Sequence, residues 1–84
     1  MKSIEGENVY LSELKLKQRG IIVSYSDYEL SLKLMEMGCV PGEEIEVVRI
    51  APLGDPIAIS VSGYVLTLRK NEAATIKLKR VVSK

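Results

Sequence analysis

Apolar positions along this chain recur with a period of two in most places and with a period of three to four in one. Ile21 to Tyr25 is a β-branched run of strand length. Leu30, Leu34 and Met37 then recur at helical spacing with Met35 beside them, while Glu29, Lys33 and Glu36 fall elsewhere around the turn. The spacing predicts one helix over about residues 27–38. Ser26 and Glu29 have the S-x-x-E spacing of a capping box, Gly38 is placed to end the helix in a left-handed conformation, and Pro41 confirms the stop.

Pro41 to Arg69 reads as strand, stiff turn, strand, two-residue turn, strand. Ile45 and Val47 share one parity and Val48 and Ile50 the other, which predicts a bulge or bend near Val47 and Val48. Ile57, Ile59 and Val61 alternate with Ala58, Ser60 and Ser62, so that strand has one wet face. Ser62-Gly63 predicts a hairpin turn into Tyr64 to Leu68. Lys70 to Ala73 suits a single 3₁₀ turn, and Ala74, Ile76 and Leu78 mark a closing strand.

At the other end, residues 1–8 are polar and aperiodic and read as a lead-in. Val9, Leu11, Leu14 and Leu16 predict an edge strand or one helical turn covering an end of the core, and Lys15 to Gly20 a turn. All six glycines are read at turn or helix-end positions. The expected fold class is mainly β: about five short strands forming a small barrel, with one inserted α-helix, as a single domain over residues 1–84.

Composition changes this picture by exclusion. With 84 residues the chain has no room for a second module, and 46% hydrophobic against 27% charged residues is an ordinary globular balance. With no Trp, no Phe and four Tyr, the core must be aliphatic and base-stacking platforms are scarce. The net charge of +1 points to neither nucleic acid nor a membrane surface. The charge is uneven, however. From Arg69 onward stand Arg69, Lys70, Lys77, Lys79, Arg80 and Lys84 against the single acid Glu72, a pattern better read as a solvated face than as a phosphate-binding patch. One cysteine excludes an internal disulfide and fits a reducing compartment. No signal-peptide pattern and no apolar span of about 20 residues is present, so a cytoplasmic protein without membrane insertion is expected.

No histidine is present, so Cys39 and the serines lack the usual base of nucleophilic catalysis, and no enzyme activity is expected. Cys39 reads as a packing residue. A metal site is disfavoured as well, because the chain offers one soft ligand and Glu43 and Glu44 point to opposite faces of an extended backbone. No phosphate-cradling glycine motif occurs, and no cofactor is expected. The Leu30, Leu34, Met35 and Met37 stripe reads as core.

What remains is the loop Ala51-Pro52-Leu53-Gly54-Asp55-Pro56. Two prolines fix φ beside a glycine free to go positive, so the loop presents a defined surface. Leu53 has little local cover. It either folds back as a barrel plug or awaits a partner, and a partner role needs a contiguous patch with Val65 or Met37.

Leu34-Met35-Glu36-Met37-Gly38-Cys39-Val40-Pro41-Gly42, Ala51 to Ile57, Gly63 to Lys70 and Glu72-Ala73 together resemble the successive signatures of the ferrous-iron transport protein A (FeoA) family. The resemblance runs from about Val9 to Leu78. It implies an SH3-like β-barrel in the cytoplasm that binds or regulates the membrane transporter FeoB, whose cytosolic part binds GTP, without itself carrying iron. Cys39 departs from the pattern at a position where an aliphatic residue is expected. On this reading Pro52, Leu53, Gly54, Asp55 and Val65 dock on the cytosolic face of FeoB, and Arg69 and Lys70 supply steering charge. The module also resembles the C-terminal domain of iron-dependent repressors, but no helix-turn-helix precedes it. Two competing readings are a small nucleic-acid-binding barrel using Lys77, Lys79 and Arg80, and an iron-binding chaperone using carboxylates and Cys39. A barrel with free edge strands can also self-pair into a homo-oligomer.

Overall fold

The computed structural model describes residues 2–3 and 7–83. Its strands are β1 (Lys2–Ser3), β2 (Asn8–Tyr10), β3 (Arg19–Tyr25), β4 (Glu44–Ile50), β5 (Ile57–Val61), β6 (Tyr64–Leu68) and β7 (Ile76–Ser83). Helix α1 spans Tyr28–Glu36 and α2 spans Lys70–Ala73, and a 3₁₀ turn covers Leu11–Glu13. All pairings are antiparallel, in the order β1-β7-β3-β4-β5-β6, with β2 also on β7. The sheet curls into a small SH3-like barrel. The 3₁₀ turn packs against α2 and β7.

The strands follow the apolar alternation. Ile57, Ile59 and Val61 on β5 are buried with Ile45 and Val47 on β4 and Ile76 and Leu78 on β7. Leu11 and Leu14 seal one end, and Leu34 of α1 and Cys39 seal another. The register shift between Val47 and Arg49 is the bulge that the change of phase predicts, and it turns Val48 outward. A second shift, between Ile22 and Ser24, exposes Val23. The β5–β6 turn has Ser62 at φ 51° and Gly63 at φ 82°. Two consecutive left-handed residues are what a twisted two-residue hairpin requires.

Five features differ from the sequence reading. Where the pattern gives a lead-in over residues 1–8, Lys2–Ser3 and Asn8 already pair with β7; residues 4–6 lie outside the described residues. Gly20 is not in a turn. It lies inside β3, buried, where a Cβ would stand 3.0 Å from Leu78 Cβ and Cδ1, so glycine permits the close approach of β3 to β7. The helix starts one residue later than the Ser26 capping box would set it: Asp27 is the N-cap, its carboxylate accepting from Leu30 N–H at 3.0 Å. The segment Lys70–Ala73 closes as one α-helical turn rather than a 3₁₀ turn, with Ala74 N–H donating to Lys70 C=O at 2.9 Å. Leu16 is half exposed and takes no part in sealing the core.

Candidate functional site

The β4–β5 loop is built to hold its tip rigid. Gly54 N–H donates to Ala51 C=O at 2.7 Å, which closes a turn with Pro52 and Leu53 at its centre, and Gly54 sits at φ 85°. At the base, Ala51 N–H donates to Pro56 C=O at 3.1 Å. The Asp55–Pro56 bond is cis. Leu53 is 94% exposed, so of the two readings of this residue the plug is excluded.

Asp55 ties the loop to the segment that follows β6, the strand next to β5. Its Oδ1 accepts from the backbone N–H of Lys70 at 3.0 Å, a carboxylate at the first turn of α2. Arg69 N–H donates to Glu72 Oε1 at 2.9 Å, and Glu72 Oε2 lies 3.9 Å from Lys33 Nζ. Loop, α2 and α1 are thus linked in series. Asp55, Arg69 and Lys70 line one shallow hollow together with Ser12, Asn71 and Ala74.

Val65 belongs to a neighbouring feature. It lines a groove of about 540 Å³ with Val48, Arg49, Ala51, Pro56, Ala58 and Thr67. The groove has a simple cause: the bulge turns both Val48 and Arg49 toward this side, and the small Ala58 of β5 lies between them and the Val65 and Thr67 of β6. The base of the loop therefore joins the groove, and its tip projects beyond it.

Of the predicted residues, the structure brings Asp55, Arg69 and Lys70 together at the foot of the loop. Pro52, Leu53 and Gly54 form the tip, and Val65 lies across the groove. Met37 is not part of this patch, since it packs against the core. Sequence reasoning missed Val48 and Ala58 as surface residues of the site. The change of phase at Val47 and Val48 was the available signal, because a bulge puts an apolar side chain on the outer face.

The basic residues of β7 do not converge. Lys77 and Lys79 share the outer face, whereas Arg80 has the opposite parity and lies 3.5 Å from Glu7. The same outer sheet carries Glu44, whose Oε2 is 3.3 Å from Arg19 Nη1. Glu43 accepts instead from Ser62 Oγ at 2.8 Å. Among the described residues no three His, Cys, Asp or Glu side chains stand together as a metal site. Cys39 is fully buried and burial pushes its thiol up. Tyr25 is pushed up to about 12, chiefly by burial and then by Cys39, and its Oη has no hydrogen-bond partner. No helix among the described residues is long and apolar enough to cross a membrane.

The FeoA domain model matches residues 9–80 of the chain. An Fe(2+) transport protein A/Fe(2+) transporter FeoB fusion protein of Porphyromonas gingivalis (strain ATCC BAA-308 / W83) is 36% identical over 74 residues, 87% of this chain. The chain spans 9% of the length of that relative. The solution structure of an FeoA-like protein from Clostridium acetobutylicum is similar with a TM-score of 0.84 and 34% identity, covering 93% of this chain and 92% of that one. The zinc-complexed FeoA of Stenotrophomonas maltophilia, described as a prokaryotic SH3 domain protein, is similar with a TM-score of 0.72 and 29% identity over 83% of this chain and 88% of that one.

Proposed function

The chain belongs to the FeoA domain family, and from that premise we propose that it is a non-enzymatic, cytoplasmic accessory module of ferrous iron uptake that binds and regulates an FeoB-type transporter. One observation carries the proposal: in the Porphyromonas gingivalis relative, a domain like this one is joined in a single chain to an FeoB transporter. Covalent joining raises the effective concentration of two modules and is of use where they act on each other.

The surface supports a docking role. A stiff loop exposes Leu53 beside an apolar groove, and Arg69 and Lys70 stand at the foot of that loop. An apolar anchor surrounded by polar and cationic groups is the anatomy of a small protein interface. The cations steer the encounter toward an acidic rim and the leucine fixes the bound pose.

The test is binding of the chain to full-length FeoB of the same cell and to its isolated GTP-binding domain, with GTP hydrolysis followed in parallel. Binding to the full-length protein is the expected result, and the isolated domain localises the contact. No binding to either form at about 50 µM, with or without nucleotide, overturns the proposal, since that concentration would detect all but very weak complexes.

A further inference from the structure

Among the described residues the outer edge of β6 is open, since β6 pairs with β5 alone. Its two-residue turn makes Val61 and Tyr64 a hydrogen-bonded pair, and alternation along an antiparallel ladder gives the same status to Ile59 with Leu66 and to Ile57 with Leu68. The N–H and C=O groups of Val65 and Thr67 therefore point away from β5. Both residues are exposed. Natural sheets guard such an edge with a charged side chain, a proline or a bulge. The Tyr64–Leu68 strand has none of these: its five residues are uncharged, lack proline and pair without a register shift.

We infer that this edge is a self-association surface, on which a second copy of the chain adds its own β6 in antiparallel register about a two-fold axis at Leu66. The strand is complementary to itself. With Leu66 opposite Leu66 of the second copy, Val65 faces Thr67, and each such pair exchanges both of its N–H···O=C bonds. Two β-branched side chains meet in each pair, a favourable cross-strand combination. Tyr64, 67% exposed in the single chain, comes to lie opposite Leu68.

Charge selects the same register. It carries Arg69 and Lys70 of one copy to the Ser62–Gly63 turn of the other, where the Glu43 carboxylate holds the Ser62 hydroxyl. The two-fold axis repeats this approach of cations to a carboxylate at the other end, and no like charges face each other between them. An isologous contact of this kind closes on two copies and leaves no β6 edge free to propagate. The inference shares Val65, Arg69 and Lys70 with the transporter reading, but its test needs only the chain itself, so the two fail separately.

The test is sedimentation velocity of the 84-residue chain from about 10 µM to about 1 mM, a range that brackets weak dimers. A shift from monomer to dimer across that range is expected. Thr67→Pro deletes one outward N–H at an edge position where proline is tolerated, and should weaken dimerisation by about tenfold or more. Register is read in a Cys39→Ala background. Leu66→Cys should cross-link to itself on oxidation, because a non-hydrogen-bonded pair places Cα atoms about 4.5 Å apart, within disulfide reach. Tyr64→Cys should not. A chain that stays monomeric throughout, a dimer that Thr67→Pro in its folded form leaves unweakened, or Tyr64→Cys cross-linking as readily as Leu66→Cys would each overturn the inference. The wild-type series and the cysteine pair decide the matter even if Thr67→Pro does not fold.

Discussion

Asp55 and Lys70, fifteen residues apart in sequence, are joined by a hydrogen bond of 3.0 Å from the Lys70 backbone N–H to the Asp55 carboxylate. The bond does two things at once: it caps α2 and fixes the foot of the loop that carries Leu53. Asp55→Ala should cost about 1 kcal/mol of stability, as loss of a helix N-cap does. It should weaken transporter binding as well, because a loosened loop must be ordered again in the complex. Denaturant titration beside a binding isotherm measures both effects in the same variant.

Gly20 tests the packing of the barrel. Its hypothetical Cβ meets Leu78 Cβ and Cδ1 at 3.0 Å and the Lys79 carbonyl oxygen at 3.3 Å, and Leu78 is fully buried. Leu78 Cβ and the Lys79 carbonyl are fixed by the β7 backbone and cannot move aside by a side-chain rotation. Gly20→Ala should therefore destabilise the fold by about 1–3 kcal/mol, the usual range for overpacking. A thermal melt suffices to check this.

Tyr25 gives the fold a pH dependence. Its pKa rises from 10.0 to about 12, so the folded protein holds the phenolic proton more tightly than the unfolded chain does. The stability this group contributes is complete below pH 10 and is lost as pH rises through about 12. Cys39, also shifted upward by burial, acts in the same direction. The denaturant midpoint should fall as the pH is raised from 10 toward about 12. Tyr25→Phe should flatten the slope. At neutral pH the same variant should gain about 1 kcal/mol, because it removes a buried hydroxyl that has no partner.

The sequence foretold the long strands because their apolar residues alternate, and a period of two leaves only one face to bury. The bulge at Val48 was legible for the same reason, as a break in that alternation. Other features left weaker marks. Three residues of β2 are too few to show any period, and Gly20 reads as punctuation when its real constraint is the neighbouring strand. Ser26 and Asp27 are both good N-caps, and the fold chose the later one. At the site, the exposure of Leu53 was half foreseen from its lack of local cover. The groove beside it was not, since Val48, Ala58 and Val65 meet only once three strands have paired in a particular register.

The central claim is that the Leu53 loop is the surface by which this chain engages an FeoB-type transporter. Leu53 is 94% exposed, so Leu53→Asp should change stability by less than about 0.5 kcal/mol, as surface substitutions do. The most direct measurement is the affinity of wild type and of Leu53→Asp for full-length FeoB of the same cell, with a melt of each protein alongside. Equal melting temperatures with binding weakened by about tenfold or more are predicted, as for loss of an apolar anchor. Equal affinity of the two folded proteins would contradict the account.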